Sequence, residues 1–136
     1  PTDSVTRHRL LTIASMIERE AVTDRDRPLV ASVIENRLKK KMRLEIDATV
    51  QYALGKHVNR VMFRHLKVDS PYNTYRKRGL PPGPISNPGL KAIIAAANPA
   101  TTPYYFYVLG SDRRNHVFTS TYADHLTAIR KYRPKP

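Results

Sequence analysis

The sequence predicts an α+β fold, with helices packed around a small, mainly antiparallel sheet. Three observations predict it. Apolar residues recur at spacings of three and four in several separate segments, the pattern of helices with one buried face. A single strongly β-forming run, Tyr104-Tyr105-Phe106-Tyr107-Val108-Leu109, is joined to a second, His116-Val117-Phe118-Thr119-Ser120, by the turn-forming Gly110-Ser111-Asp112-Arg113-Arg114-Asn115, which reads as an antiparallel hairpin. The chain has 136 residues, 40% of them apolar, enough for one domain (1–136) with a real core.

Taken in order, the first element is a helix capped by Ser4 or Thr6. Leu10, Ile13, Ala14, Ile17 and Ala21 share its apolar face, and Glu18 and Glu20 fall on opposite edges of that face. Two positions apart on a helix, these acids project about 200° from each other and do not form a close pair. Small neighbours, Ala14 and Ser15, leave room beside Glu18. A solvated helix-edge charge is the plain alternative for either Glu.

A second helix starts near Asp26, with Pro28 in its first turn. Val30, Val33, Ile34 and Leu38 form its stripe, and Lys39-Lys40-Lys41 close it where positive charge suits the dipole. Leu44-Glu45-Ile46-Asp47 alternates apolar and polar and predicts a short strand, followed by a short helix over 48–54 that stops at Gly55. Residues 56–69 show no clear period.

Residues 70–89 are rich in proline and glycine, which excludes regular structure apart from a helix start. Tyr72, Asn73, Tyr75, Leu80 and Ile85 in this stretch want partners. The loop therefore reads either as a rigid binding loop or as structural bracing. Asn87 and Pro88 open a further helix that ends at Asn98-Pro99, and a closing amphipathic helix over 121–132 turns Leu126 and Ile129 inward.

Composition narrows the chemistry. With no cysteine there is no disulfide framework and no thiolate metal site. The five histidines, at 8, 57, 65, 116 and 125, lack metal-ligand spacing, so neither a metal nor a cofactor is expected. There is no phosphate-binding glycine loop and no nucleophile elbow. No apolar run reaches the ~20 residues of a membrane span. The chain opens at Pro1 just ahead of an apolar helix, so the expectation is an excised domain whose targeting segment lies elsewhere.

The formal charge is +13, from 24 Lys and Arg against 11 Asp and Glu, and it attracts polyanions. The basic residues are scattered, without a nucleic-acid-binding signature. What remains is a carboxylate on an apolar helix beside aromatic and amide residues on a constrained loop. That set suits a sugar polymer, with an acid that protonates a glycosidic oxygen.

The motifs sharpen this. Ile13-Ala14-Ser15-Met16-Ile17-Glu18-Arg19-Glu20, Arg27-Pro28-Leu29-Val30-Ala31-Ser32-Val33-Ile34-Glu35-Asn36-Arg37-Leu38, Met42-Arg43-Leu44-Glu45-Ile46-Asp47-Ala48-Thr49-Val50-Gln51-Tyr52, Ser70-Pro71-Tyr72-Asn73-Thr74-Tyr75 and Gly79-Leu80-Pro81-Pro82-Gly83-Pro84-Ile85 resemble the YceG-like, or MltG, family of endolytic murein transglycosylases. The resemblance continues through Asn98-Pro99-Ala100, the Tyr104 to Val108 run and His116-Val117-Phe118-Thr119. Two departures occur. The family often has Gln-Thr-Asp-Pro-Thr-Val where this chain has Glu45 to Val50, and Lys-Glu-Thr where it has Arg19-Glu20-Ala21.

The resemblance implies a lysozyme-like catalytic helix and a peptidoglycan glycan strand as substrate. It implies cleavage between N-acetylmuramic acid and N-acetylglucosamine within the strand, leaving 1,6-anhydro ends. Glu18 is the implied catalytic acid, with Glu20 in reserve. Tyr72, Asn73, Thr74, Pro82, Gly83, Ile85, Asp47 and His116 are the expected substrate-binding residues. An anchor outside this chain would hold the domain at the outer face of the inner membrane, beside the wall-synthesis machinery, with no nucleic-acid partner. Two alternatives stand beside this reading. One is a hydrolytic muramidase with Asp47 activating water; the other is a non-catalytic basic module binding glycan or nucleic acid.

Overall fold

The computed structural model describes residues 3–56 and 58–133; His57 lies outside them. In order come α1 (Ser4–Glu20), α2 (Asp26–Lys40), α3 (Asp47–Leu54), a 3-10 turn (His65–Lys67), α4 (Leu90–Ala97), β1 (Phe106–Leu109), β2 (His116–Thr119) and α5 (Tyr122–Tyr132). The α+β expectation holds: five helices surround one antiparallel hairpin, in which Phe106 faces Thr119 and Leu109 faces His116.

Helix α1 is the centre of the molecule. Thr12, Ile13, Ala14, Ser15, Met16 and Ile17 are all buried, so the helix is enclosed on every side at mid-length. It packs most extensively on α4 and also on α2 and α3. Burying a residue the size of Ile17 contributes roughly 2 kcal/mol. Its cap is Asp3, ahead of both expected candidates, Ser4 and Thr6; the Asp3 carboxylate accepts from the Thr6 N–H at 2.7 Å.

The segment before α3 differs from expectation. No strand forms over 44–47, although the alternation is real: Leu44 and Ile46 are buried, Glu45 and Asp47 exposed. Glu45 has φ 53, in the left-handed region, which breaks an extended run. Backbone pairing comes instead from the 70–89 loop. Glu45 N–H donates to the Thr74 carbonyl (3.3 Å) and Ile46 N–H to Thr74 Oγ1 (2.9 Å).

Helix α4 starts at Leu90, with Gly89 rather than Asn87 as its cap. Gly89 has no side chain to offer, so the cap comes from α1. At α5 the Thr121 hydroxyl accepts from the Asp124 N–H, as a threonine cap does.

Candidate active site

Helix α1 ends at Glu20, whose side chain points toward the hairpin. There the Tyr107 hydroxyl of β1 donates to Glu20 Oε1 at 2.6 Å. The two residues line a polar cavity of about 270 Å3 together with Arg37 of α2, Glu45, Asp47 at the start of α3, Tyr75 of the long loop and His125 of α5. Separate parts of the chain thus converge on one cavity, and Tyr107 touches the Glu20 carboxyl directly.

Each wall has a local cause. Arg37 is nearly buried and fixes the 43–44 backbone: Nη1 donates to the Arg43 and Leu44 carbonyls (2.9 and 3.2 Å) and Nε to the Tyr105 carbonyl (2.7 Å). Its guanidinium also lies 5.0 Å from the centre of the Phe106 ring. Burial lowers the Arg37 pKa, and Glu45, 4.0 Å away, opposes that shift. Tyr75 donates its hydroxyl to Asp47 Oδ1. His125 stacks on Phe106 with ring centres 4.7 Å apart, and its buried Nδ1 has no hydrogen-bond partner among the described residues. Burial, then the Arg37 charge, hold its imidazole below its ordinary pKa, so it is neutral at neutral pH.

The electrostatics single out Glu20. The residue is half-buried: its side chain is crowded by packed atoms and opens onto the cavity. Burial pushes its pKa up, and the Asp47 carboxylate adds to the rise; the Tyr107 hydrogen bond and the His116 and Arg19 charges oppose it. Tyr107 is pushed well above its ordinary value, first by burial and then by Glu20, so it remains a hydrogen-bond donor. With Oε1 occupied by a donor, Oε2 is the oxygen on which this carboxyl would carry a proton. That oxygen has no protein partner among the described residues and is the one available to a ligand.

Glu18 sits differently. It is exposed, and its Oε1 accepts from the Gly89 N–H at 2.7 Å, capping α4 from outside that helix. A Cβ at position 89 would stand 3.2 Å from that oxygen, so glycine suits the close approach. The room expected beside Ala14 and Ser15 is filled by the long loop. Ile85 N–H donates to Ser15 Oγ, and Ser86 Oγ to the Ser15 carbonyl, both at 3.0 Å. Of the two acids of α1, Glu20 and not Glu18 faces a cavity, and that cavity is lined mostly by polar side chains.

Of the expected substrate-binding residues, Asp47 alone lines the Glu20 cavity. Asn73 and Thr74 are buried braces. The Asn73 amide donates to the Leu66 and Val68 carbonyls (2.9 and 2.8 Å), and its oxygen accepts from the Tyr75 N–H (3.0 Å). Thr74 Oγ1 is shared between Ile46 N–H and Thr49 Oγ1. Tyr72 packs on Tyr52 with ring centres 4.7 Å apart. The Pro82 carbonyl accepts from the His8 ring at 2.6 Å, and Gly83 is packed beneath His8 and Tyr72. Ile85 is in the core, 5% exposed. His116 is tied to the buried Asp26, which accepts from its backbone N–H (2.6 Å) and bonds its Nδ1 (2.9 Å).

Sequence reasoning left Tyr107, Arg37 and His125 without a site role. Tyr107 carried the one available signal, a polar tip at an inward position of an otherwise apolar strand. A larger, mostly apolar cavity of about 390 Å3 lies beside α4, lined by Ile94, Ala95 and Pro28. Its only acid, Asp24, is engaged by Arg27 and Lys91, and it offers no proton donor to a sugar.

Fold and cavity define an α+β domain organised around one enclosed carboxylic acid. The chain belongs to the YceG-like family, whose model matches residues 2–131. It is similar to the endolytic murein transglycosylase of Bacillus subtilis (strain 168), at 50% identity over 130 residues, covering 96% of this chain and 36% of that protein. The endolytic murein transglycosylase of Streptococcus pneumoniae serotype 2 (strain D39 / NCTC 7466) is 33% identical over 127 residues, covering 90% of this chain and 23% of that protein. Among solved structures, a yceG-like protein of Listeria monocytogenes superposes with a TM-score of 0.84 at 45% identity, covering 88% of this chain and 39% of that one. The chain therefore spans only about a quarter to two fifths of the length of these relatives.

Proposed function

We propose that this domain is an endolytic lytic transglycosylase, cutting the bond between N-acetylmuramic acid and N-acetylglucosamine within peptidoglycan strands, with Glu20 as the catalytic acid in place of Glu18. The observation that carries the assignment is the enclosed Glu20 carboxyl, its Oε1 held by Tyr107 and its pKa raised by burial. Two relatives named as murein transglycosylases support the choice of substrate.

In the proposed reaction, Glu20 Oε2 gives its proton to the glycosidic oxygen, and the bond from that oxygen to the muramic acid C1 breaks. Positive charge develops on the sugar, where the Asp47 carboxylate across the cavity stabilises it. The muramic acid C6 hydroxyl attacks C1, and Glu20, now a base, takes the hydroxyl proton. The acid is regenerated, no water is consumed, and the product is a 1,6-anhydro sugar. Asp47 has one oxygen occupied by Tyr75, which holds it as a fixed charge. An anchor outside this chain would hold the domain at the outer face of the inner membrane.

The test is turnover of purified peptidoglycan by Glu20→Gln, which keeps the shape and the Tyr107 contact but has no transferable proton. A loss of at least ~100-fold is expected, since general acid catalysis contributes about 10²–10⁴-fold. Turnover within a few-fold of the unsubstituted domain would remove Glu20 from the chemistry.

A further inference from the structure

The cleft continues beyond Glu20. Arg37 and Glu45 also line a neighbouring cavity of about 410 Å3, where Lys41, Arg43 and Arg78 join them over a floor made by Phe106 and Tyr122. The charge there is one-sided: four cations against the single carboxylate of Glu45. Among the described residues, Lys41, Arg43 and Arg78 enter no ion pair. Like charges gathered in one concave site repel unless an anion is bound.

The backbone between the two cavities is also unusual. Lys41 is the left-handed cap that ends α2 in the ordinary way, but Glu45, not a glycine and outside any helix cap, also has a positive φ of 53, and Arg37 pins the Arg43 and Leu44 carbonyls just ahead of it. A non-glycine residue held there outside a helix cap marks a place whose geometry the surroundings enforce. The pinned backbone thus sets where the exposed Lys41 and Arg43 side chains leave the chain beside the acid.

We infer that this cavity is an anion subsite for a carboxylate carried on the C3 arm of the muramic acid residue. The inference rests on the proposed function. With the bond at the muramic acid C1 beside Glu20, the lactyl arm on C3 of the same ring projects several bond lengths away. It ends either in its own carboxylate or in a stem peptide bearing acidic residues. N-acetylglucosamine has no such arm. A cationic cavity next to the acid therefore sets the register of the strand: the arm-bearing sugar takes the position at which C1 is attacked, and the alternate bond is spared.

The test uses the doubly substituted Arg43→Gln/Arg78→Gln protein, whose two positions are exposed. The substrates are uncrosslinked stem-bearing strands, the same strands with their carboxylates amidated by carbodiimide and ammonia, and peptide-free strands with a free lactyl carboxylate. Release of new strand ends gives KM and kcat for each. The expected result is a KM raised roughly 5- to 20-fold on an anionic substrate with kcat within about twofold, two exposed charge contacts each contributing up to about fivefold. The loss should shrink on amidated strands. Sensitivity confined to stem-bearing strands assigns the peptide carboxylates, and sensitivity confined to peptide-free strands assigns the lactyl carboxylate. A loss equally large on amidated strands, or none on either anionic substrate, overturns the inference. If the unsubstituted domain releases no ends from any of the three, it is the proposed function that has failed.

Discussion

Substituting Glu18→Gln separates the two acids of α1. Glu18 Oε1 accepts from the Gly89 N–H at 2.7 Å, at the start of the eight-residue α4. Glutamine keeps an oxygen able to accept that bond, so what is lost is charge facing the positive end of the helix. For an exposed residue that loss is about 0.3–1 kcal/mol, and salt diminishes it. In a domain of this size it corresponds to a fall in melting temperature of roughly 1–4 °C. The assay is thermal unfolding at low and high salt, paired with peptidoglycan turnover at matched folded fraction. Turnover should stay within about twofold, because Glu18 does not line the cavity that holds Glu20. A collapse of turnover by ~100-fold with an unchanged melting temperature would refute the reasoning and return catalysis to Glu18.

Two further outcomes follow from the same geometry. Glu20 has its pKa raised by burial, so the folded state retains a proton that the unfolded chain loses above the ordinary value of 4.5. Stability is then highest below that value and falls as pH rises through the folded pKa. Turnover should decline over the same alkaline limb, and Asp47→Asn should move that limb to lower pH by removing a charge that raises the Glu20 pKa; an unmoved limb would separate Asp47 from Glu20. Asn73→Ala should destabilise the domain by roughly 2–4 kcal/mol in denaturant unfolding, because it leaves two part-buried carbonyls and the part-buried Tyr75 N–H without partners, while turnover per folded molecule changes little.

The helices and the hairpin were legible in the sequence because each carries its own period. Ile13, Ala14 and Ile17 repeat at helical spacing, and the run from Tyr104 to Leu109 is β-forming throughout. The 44–47 segment misled because alternation records which side chains are buried, not which backbone pairs with which. Leu44 and Ile46 are buried here by an irregular segment that borrows its hydrogen bonds from Thr74. The site was half legible. A helical wheel places Glu18 and Glu20 on opposite edges, but which edge meets a cavity is decided by Tyr107, 87 residues further along the chain. Asn73 misled for a related reason: an amide on a proline-rich loop serves a ligand and a stranded carbonyl equally well, and only the fold shows that Leu66 and Val68 claim it.

The central claim is that one carboxylic acid, Glu20, cuts the glycan by proton transfer out and back without water. Mass analysis of strands released from purified peptidoglycan tests it most directly. The expected result is new muramic acid ends lighter by one water than reducing ends, formed by the unsubstituted domain and absent with Glu20→Gln. Reducing ends instead would contradict it and make Asp47 the base of a hydrolase.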